Sequence, residues 1–412
     1  MPTSNAKRSP PQAALPLHGI RVIDVASFIA APVAATVLGD FGADVIKVEP
    51  TNGGDPNRTM YQNPAYPKSP VNYPWHLDSR RKRSLAIDLK NGEARDAFDK
   101  VIAASDVLIT NLPMAARRRL RLDYETLSKS HPDVIHAALS GYGDTGPDAD
   151  QLGFDINAYF ARSGILDGAR YDDQYPAVAM PAQGDRASGV SLALGIMIAL
   201  WNRQQTGRGT SVTTSLLANG IWANGNFAQA ALVGGTMPKR PVPETPRSAV
   251  ANVYRTEDDR WLQLSLVRED RDWPTLCKAI DRVDLLSDPR FAETPVRRQN
   301  GADLAGILRA IIGSRDVAYW RNCLKQHGLA FAVLNRAADL PTDDQVLASG
   351  AIVDTAIPDM PRSIASPLAL GNVEIPPPTP APELGEHSVS ILREAGVDAE
   401  VIARLRKSGA VI

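Results

Sequence analysis

Short β-branched runs alternate with helical stretches through the first third of the chain, and no other feature constrains the fold as tightly. Residues 20–25 (IRVIDV), 44–48 (DVIKV), 84–89 (SLAIDL), 106–111 (DVLITN) and 134–140 (VIHAALS) read as strands. Residues 26–38, 91–104 and 124–130 between them carry helical spacing. Strands separated by helices are joined by right-handed crossovers, so the sheet is expected to be largely parallel. The expected fold class is α/β, with a Rossmann-like large domain. The turn after the first strand, Ala26-Ser27-Phe28-Ile29-Ala30-Ala31-Pro32, holds no GxGxxG, and the chain has no GxxxxGK[ST]. A dinucleotide-binding reading and an NTPase reading both lose their main support.

Residues 182–216 (AQGDRASGVSLALGIMIALWNRQQTGRGTSVTTSL) continue the pattern on a larger scale. A helix is expected from Ser188 to about Trp201, then a turn at Gly207-Arg208-Gly209 and a β-prone run over 211–214. Val190, Leu192, Leu194, Ile196, Met197, Ile198, Ala199 and Leu200 ring this helix, and a helix apolar on all sides belongs inside a core. Gly184 and Asp185 stand just before it. A helix start carries partial positive charge and unpaired N–H groups. An Asp there is most often a cap; it is also where a reacting carboxylate could be held, and Asp185 is the best single candidate.

Residues 50–83 form a long loop rich in Pro, Asn, Gly and Tyr that ends on Arg80-Arg81-Lys82-Arg83. Loops of this length are usually functional or disordered. Arg117-Arg118-Arg119 is a second basic cluster, close to the carboxyl end of the fourth strand, where open parallel sheets bind ligands. The clusters read either as solvated faces or as contacts to a polyanionic small ligand. Pro and Gly concentrate over 226–246, which reads as a linker. The expected organisation is a disordered lead-in (1–15), the first part of the large domain (16–225), the linker, a small α+β domain (247–340), and a return segment that completes the large domain (341–412). The small domain opens on a hairpin, 249–255 with 261–267, and the chain closes on an amphipathic helical hairpin over 385–412.

A net charge of −1 points to no nucleic acid and no anionic membrane surface. No apolar run reaches about 18 residues, so no spanning helix is expected. Cys277 and Cys323 are the two cysteines, with no CxxC and no His-rich spacing near them. That argues against a structural zinc and for a reducing, cytoplasmic setting; no metal site is expected.

Several segments taken together resemble the class III CoA-transferases, the CaiB/BaiF type that includes formyl-CoA, carnitine and bile-acid CoA-transferases. They are LHGIRVIDVASFIAAPVAATVLGDFGADVIKVEP (17–50), GGDPNR (53–58), KRSLAIDL (82–89), SDVLITN (105–111), LSGYGDTGP (139–147), GFD (153–155), QGD (183–185), TGRGTSVTTSL (206–216) and LGEH (384–387). The resemblance implies a large domain built from both chain ends, an interlocked homodimer, and coenzyme A or an acyl-CoA as substrate with no tightly bound cofactor. It also implies an Asp nucleophile, which falls on Asp185, with Asp155 and Gly184 in support. Mapped in the same way, Ile29, Ala30, Lys90, Asn111, Leu112 and Arg119 contact CoA. Ala187 and Ser188 are candidate oxyanion donors. Ile29 stands where formyl-CoA transferases have Gln, Pro50 where they have Arg, and residues 238–250 are Pro-rich where they have a glycine-rich lid. Acids larger than formate and oxalate are therefore expected. Two rivals remain open: an α-methylacyl-CoA racemase, whose GHD motif is GFD here and for whose base neither His131 nor His136 is placed, each reading as a structural or surface histidine, and a CoA-binding protein without turnover.

Overall fold

The computed structural model describes residues 15–412. The expected disordered lead-in falls almost wholly outside them. Contacts divide the described chain into two units, residues 15–167, 178–235 and 348–412 in one and residues 168–177 and 236–347 in the other.

The larger unit is built on a parallel sheet of β1 (Arg21–Val25), β2 (Asp44–Glu49), β3 (Lys82–Ala86), β4 (Val107–Thr110), β5 (Ile135–Ser140) and β6 (Ser211–Ser215). Their order across the sheet is β3-β2-β1-β4-β5-β6, and every pairing is parallel. The order reverses between β1 and β4, which is the switch point where doubly wound sheets open a ligand crevice. β1 to β5 are buried almost throughout, because helices cover both faces, whereas the edge strand β6 is only partly buried. On one face Val22, Val45, Val107, Ile135 and Ala137 meet helices Ala30–Asp40 and Gln183–Thr206. On the other, Ile23, Ile46, Leu85 and Leu108 meet helix Gly92–Ala103 and the closing helices Ser388–Glu394 and Ala399–Lys407. Both chain ends thus cover one sheet. Among the described residues no helix is long and apolar enough to cross a membrane.

The long helix departs from expectation in two ways. It starts at Gln183, so Asp185 lies in its first turn instead of before it. It is also not buried all round. Leu192, Ala193, Ile196, Ala199 and Leu200 are buried, whereas Leu194, Ile198 and Trp201 are each more than 60 % exposed. These three lie at i, i+4 and i+7, so they share one face. The smaller unit has its own core around an antiparallel sheet, β7 (Val253–Arg255), β8 (Trp261–Leu264) and β9 (Phe331–Val333), with helices Glu269–Ala279, Gly301–Ile312 and Val317–Gln326.

Candidate active site

The turn after β1 is fixed by side chains. Asn111, just past β4, accepts from the Ser27 N–H (2.9 Å) and donates to the Ser27 carbonyl (2.7 Å). Asp55 accepts from the Phe28 N–H (3.0 Å), and the Lys47 ammonium donates to the Ala26 carbonyl. Lys47 also pairs with Asp55 at 2.7 Å and reaches Asp24 at 3.6 Å, and Lys82 pairs with Asp24 at 2.9 Å. All four charged groups are buried. Burial alone pushes the Asp24 carboxyl up; Lys47 and Lys82 outweigh it and hold it below the usual range.

The Arg80–Arg83 run is absorbed in the same way. Arg80 pairs with Asp40 (2.6 Å), Arg83 with Asp44 (2.7 Å), and Arg81 donates to the Pro376 carbonyl. With Lys82 on Asp24, each member of the run serves the fold.

Asp155 and Asp185 are brought together by two helix starts. Asp155 opens a π-helical turn, Asp155–Ala161, a rare geometry that recurs at functional sites. Its buried carboxylate accepts from the Gly184 N–H at 3.1 Å. Asp155 therefore caps the long helix, whose own preceding residue, Ala182, has a left-handed backbone and no capping side chain. Gly184 is required by this approach: a Cβ there would lie 2.4 Å from the Tyr159 ring. The other Asp155 oxygen, Oδ1, has no hydrogen-bond partner. Asp185 is thus released from capping.

Burial pushes Asp185 up to about 7, and the Asp155 and Asp78 carboxylates add to the effect while Arg186 opposes it. Sequence position suggested a field that favours the anion. The helix end contributes only about 0.3–1 kcal/mol at an exposed site, and burial beside a second carboxylate outweighs it. Burial also raises Asp155, against the backbone N–H groups that stabilise its charged form.

Asp185 lines a cavity of about 250 Å³ at the carboxyl ends of β1, β4 and β5. Phe28, Ala30, Asn111, Leu112, Arg117 and Phe154 line it as well. Of the residues expected to touch CoA, Ala30, Asn111 and Leu112 are there. Ile29 is buried in the core, and Lys90 and Arg119 are exposed; none of the three lines this cavity. The arginine at the wall is Arg117, buried and paired with Asp144 at 2.9 Å. The triplet of arginines was visible in the sequence; which member turns inward was not.

One expectation needs correction. Ala187 and Ser188 cannot serve as oxyanion donors through their N–H groups. The helix begins at Gln183, so those groups bond four residues back within it. Neither His131 nor His136 lines the cavity. His136 is buried in β5 with its Nε2 against the Leu122 carbonyl (3.0 Å), and burial, with Arg117 adding, pushes it down to about 4. Among the described residues no group of His, Cys, Asp and Glu is placed to hold a metal ion.

An open parallel sheet with a crevice at its switch point, lined by an unpaired carboxylate, defines an α/β protein equipped for covalent or acid–base work on a small ligand. The comparisons with known proteins narrow this class. CoA-transferase family III matches residues 17–388, and the chain belongs to that family. It is 31% identical over 400 residues to the (R)-2-hydroxy-4-methylpentanoate CoA-transferase of Clostridioides difficile, covering 96% of this chain and 99% of that one. It is 30% identical to the cinnamoyl-CoA:phenyllactate CoA-transferase of Clostridium sporogenes, covering 94% and 95%. The crystal structure of a CaiB/BaiF family protein from Brucella suis superposes with a TM-score of 0.83 at 27% identity, over 93% of this chain and all of that one. The chain is an enzyme that transfers CoA between carboxylic acids.

Proposed function

We propose that transfer runs through covalent intermediates on Asp185. The observation that carries this reading is a half-buried carboxylate at the cavity wall, freed from capping by Asp155. In its ionised form an Asp185 oxygen attacks the thioester carbonyl. The C–S bond breaks, giving an acyl-aspartyl anhydride and CoA thiolate. The thiolate attacks the aspartyl carbonyl and expels the donor acid, leaving an aspartyl-CoA thioester. The acceptor carboxylate attacks that thioester and releases the thiolate, which then takes the acceptor acyl group from the anhydride and frees Asp185. No proton is gained or lost overall. A carboxylate is a weak nucleophile, so orientation and exclusion of water carry much of the rate.

In this reading Asp155 is a positioning residue: it holds the Gly184 N–H and sets the direction of the first turn. Asn111 and Leu112 shape the CoA side of the cavity, with Ala30 at the turn. Lys90 and Arg119, on the surface, meet the charged end of CoA. The absence of a histidine among the described cavity-lining residues favours transfer over α-proton exchange. The exposed face of Leu194, Ile198 and Trp201, together with Trp222, supports a homodimer that covers it. The free thiols Cys277 and Cys323 support a reducing, cytoplasmic setting.

Incubation with a panel of acyl-CoAs followed by hydroxylamine and peptide mapping tests the reading. The expected result is a hydroxamate confined to Asp185 and lost in Asp185→Ala. Transfer activity that survives in Asp185→Ala with no adduct in the wild type would overturn it.

A further inference from the structure

Residues 26–28 are held more tightly than a turn of this length needs. Phe28 has φ +63°, a left-handed conformation that is strained for a bulky residue. Its N–H is anchored by Asp55, Ser27 is gripped on both sides by Asn111, and the Ala26 carbonyl is taken by Lys47. What this arrangement places is an aromatic ring at the cavity. The Phe28 ring meets the Phe154 ring edge to face, with centroids 6.1 Å apart and an interplanar angle of 89°. Phe28 is 37% and Phe154 55% exposed, so the pair presents apolar surface that the fold does not bury. Phe154 directly precedes Asp155, and its N–H is fixed by Asn157 at 2.6 Å. The ring pair and the carboxylate pair therefore share one segment, residues 154–155, which carries a member of each.

The polar side of the wall points the same way. Arg117 is the one lysine or arginine among the described residues that line the cavity. Its guanidinium is already committed to Asp144 through two nitrogens and to the Leu112 carbonyl through Nε. Asp144, Asp150 and Asp185 add negative charge. A second carboxylate on the substrate would find no free cation there, and a desolvated unpaired charge is costly.

Resting on the CoA-transfer reading above, we propose that Phe28 and Phe154 select the acyl group, and that the enzyme favours monocarboxylic acids with an aryl or branched apolar group over short or dicarboxylic ones. The rings supply burial and edge contacts that a short chain does not fill.

The test is a competition assay with one donor acyl-CoA and the acceptors 3-phenylpropanoate, 4-methylpentanoate, acetate and succinate. The wild type is expected to prefer 3-phenylpropanoate over acetate in kcat/KM by roughly 10-fold to 100-fold, and to use succinate poorly. Phe28→Ala and Phe154→Ala are expected to lower that ratio about 10-fold each, and Phe28→Leu to lower it less, since it keeps apolar bulk. An unchanged ratio in both alanine variants, with a KM for every acyl-CoA raised alike, overturns the proposal and assigns the rings to the arm of CoA that all substrates share. Succinate used as well as 3-phenylpropanoate by the wild type also overturns it. Transfer with these outcomes leaves the CoA-transfer reading standing. No transfer with any pair and no Asp185 adduct overturns that reading and the proposal with it.

Discussion

Two groups of buried charge lie beside the same crevice, and they are managed in opposite ways. Under the first turn, Asp24 and Asp55 alternate with Lys47 and Lys82 at 2.7–3.6 Å. Each charge there faces an opposite one, and the Lys47 ammonium is stabilised by Asp24 and Asp55 against its burial. At the start of the long helix, Asp155 and Asp185 face each other, and both carboxyls are pushed up. Arg186, the nearest basic side chain in sequence, is drawn off to the buried Asp78 at 2.9 Å. Compensated charge makes a rigid frame. Uncompensated charge is a cost to stability that a fold retains where chemistry needs it.

The largest expected effect concerns the uncompensated group. Asp185→Ala should lower kcat for transfer by roughly 10⁴-fold or more, by analogy with loss of other covalent nucleophiles, while thermal unfolding shows a folded protein. A loss below about tenfold would make Asp185 a structural carboxylate after all.

Next comes the compensated group. Lys47→Met leaves Asp24 and Asp55 short of a partner in the interior, and should cost about 3–5 kcal/mol in denaturant unfolding. A cost near zero would mean that the frame is not held by charge.

The third test sets pH against the contrast. Asp185 has its folded pKa, about 7, above the usual Asp value. Its contribution to stability is therefore complete at low pH and is lost as pH rises toward and past about 7. Asp185→Asn should then stabilise the protein at pH 8 relative to wild type by on the order of 1–2 kcal/mol, after allowance for solvent screening, and by little near pH 4. The rate of adduct formation should run the other way, rising with pH through about 7 as the nucleophile ionises. Asp155→Asn removes the like charge and should shift that midpoint downward, as read by single-turnover rates against pH. An unmoved midpoint would assign the whole shift to burial.

The smallest effect is expected at the exposed rim. Arg119→Ala should raise KM for acyl-CoA by about 2-fold to 5-fold at low salt and less at high salt, with kcat unaltered. Salt-independent loss would place Arg119 in closer contact than its surface position shows.

The strands and the general place of the crevice were legible because they depend on local pattern: β-branched runs, helical spacing and short connections. Asp185 and Asp155 were legible through the resemblance of GFD and QGD to a family pattern. Arg117 was missed because three adjacent arginines differ only in direction, and direction is set by the helix Met114–Arg119 and by where Asp144 lies. The Arg80–Arg83 run showed charge but not its partners, since Asp24, Asp40 and Asp44 are far away in sequence. The exposed face of the long helix was hidden for a related reason. Hydrophobicity counts which residues prefer burial, whereas the chain's own packing decides which of them obtain it.

By itself the amino-acid sequence determined the parallel α/β class, the absence of phosphate-loop and dinucleotide fingerprints, and the family pattern that leads to CoA transfer. These rest on periodicity and on residues close together along the chain. Only the tertiary structure decided that Asp155 takes over the capping of the long helix, that Lys47 and Asp55 hold the first turn, and that Phe28 stands against Phe154 beside Asp185. Each of these joins residues from separate segments, and burial with like or opposite neighbours, which no local pattern encodes, sets what their charges do.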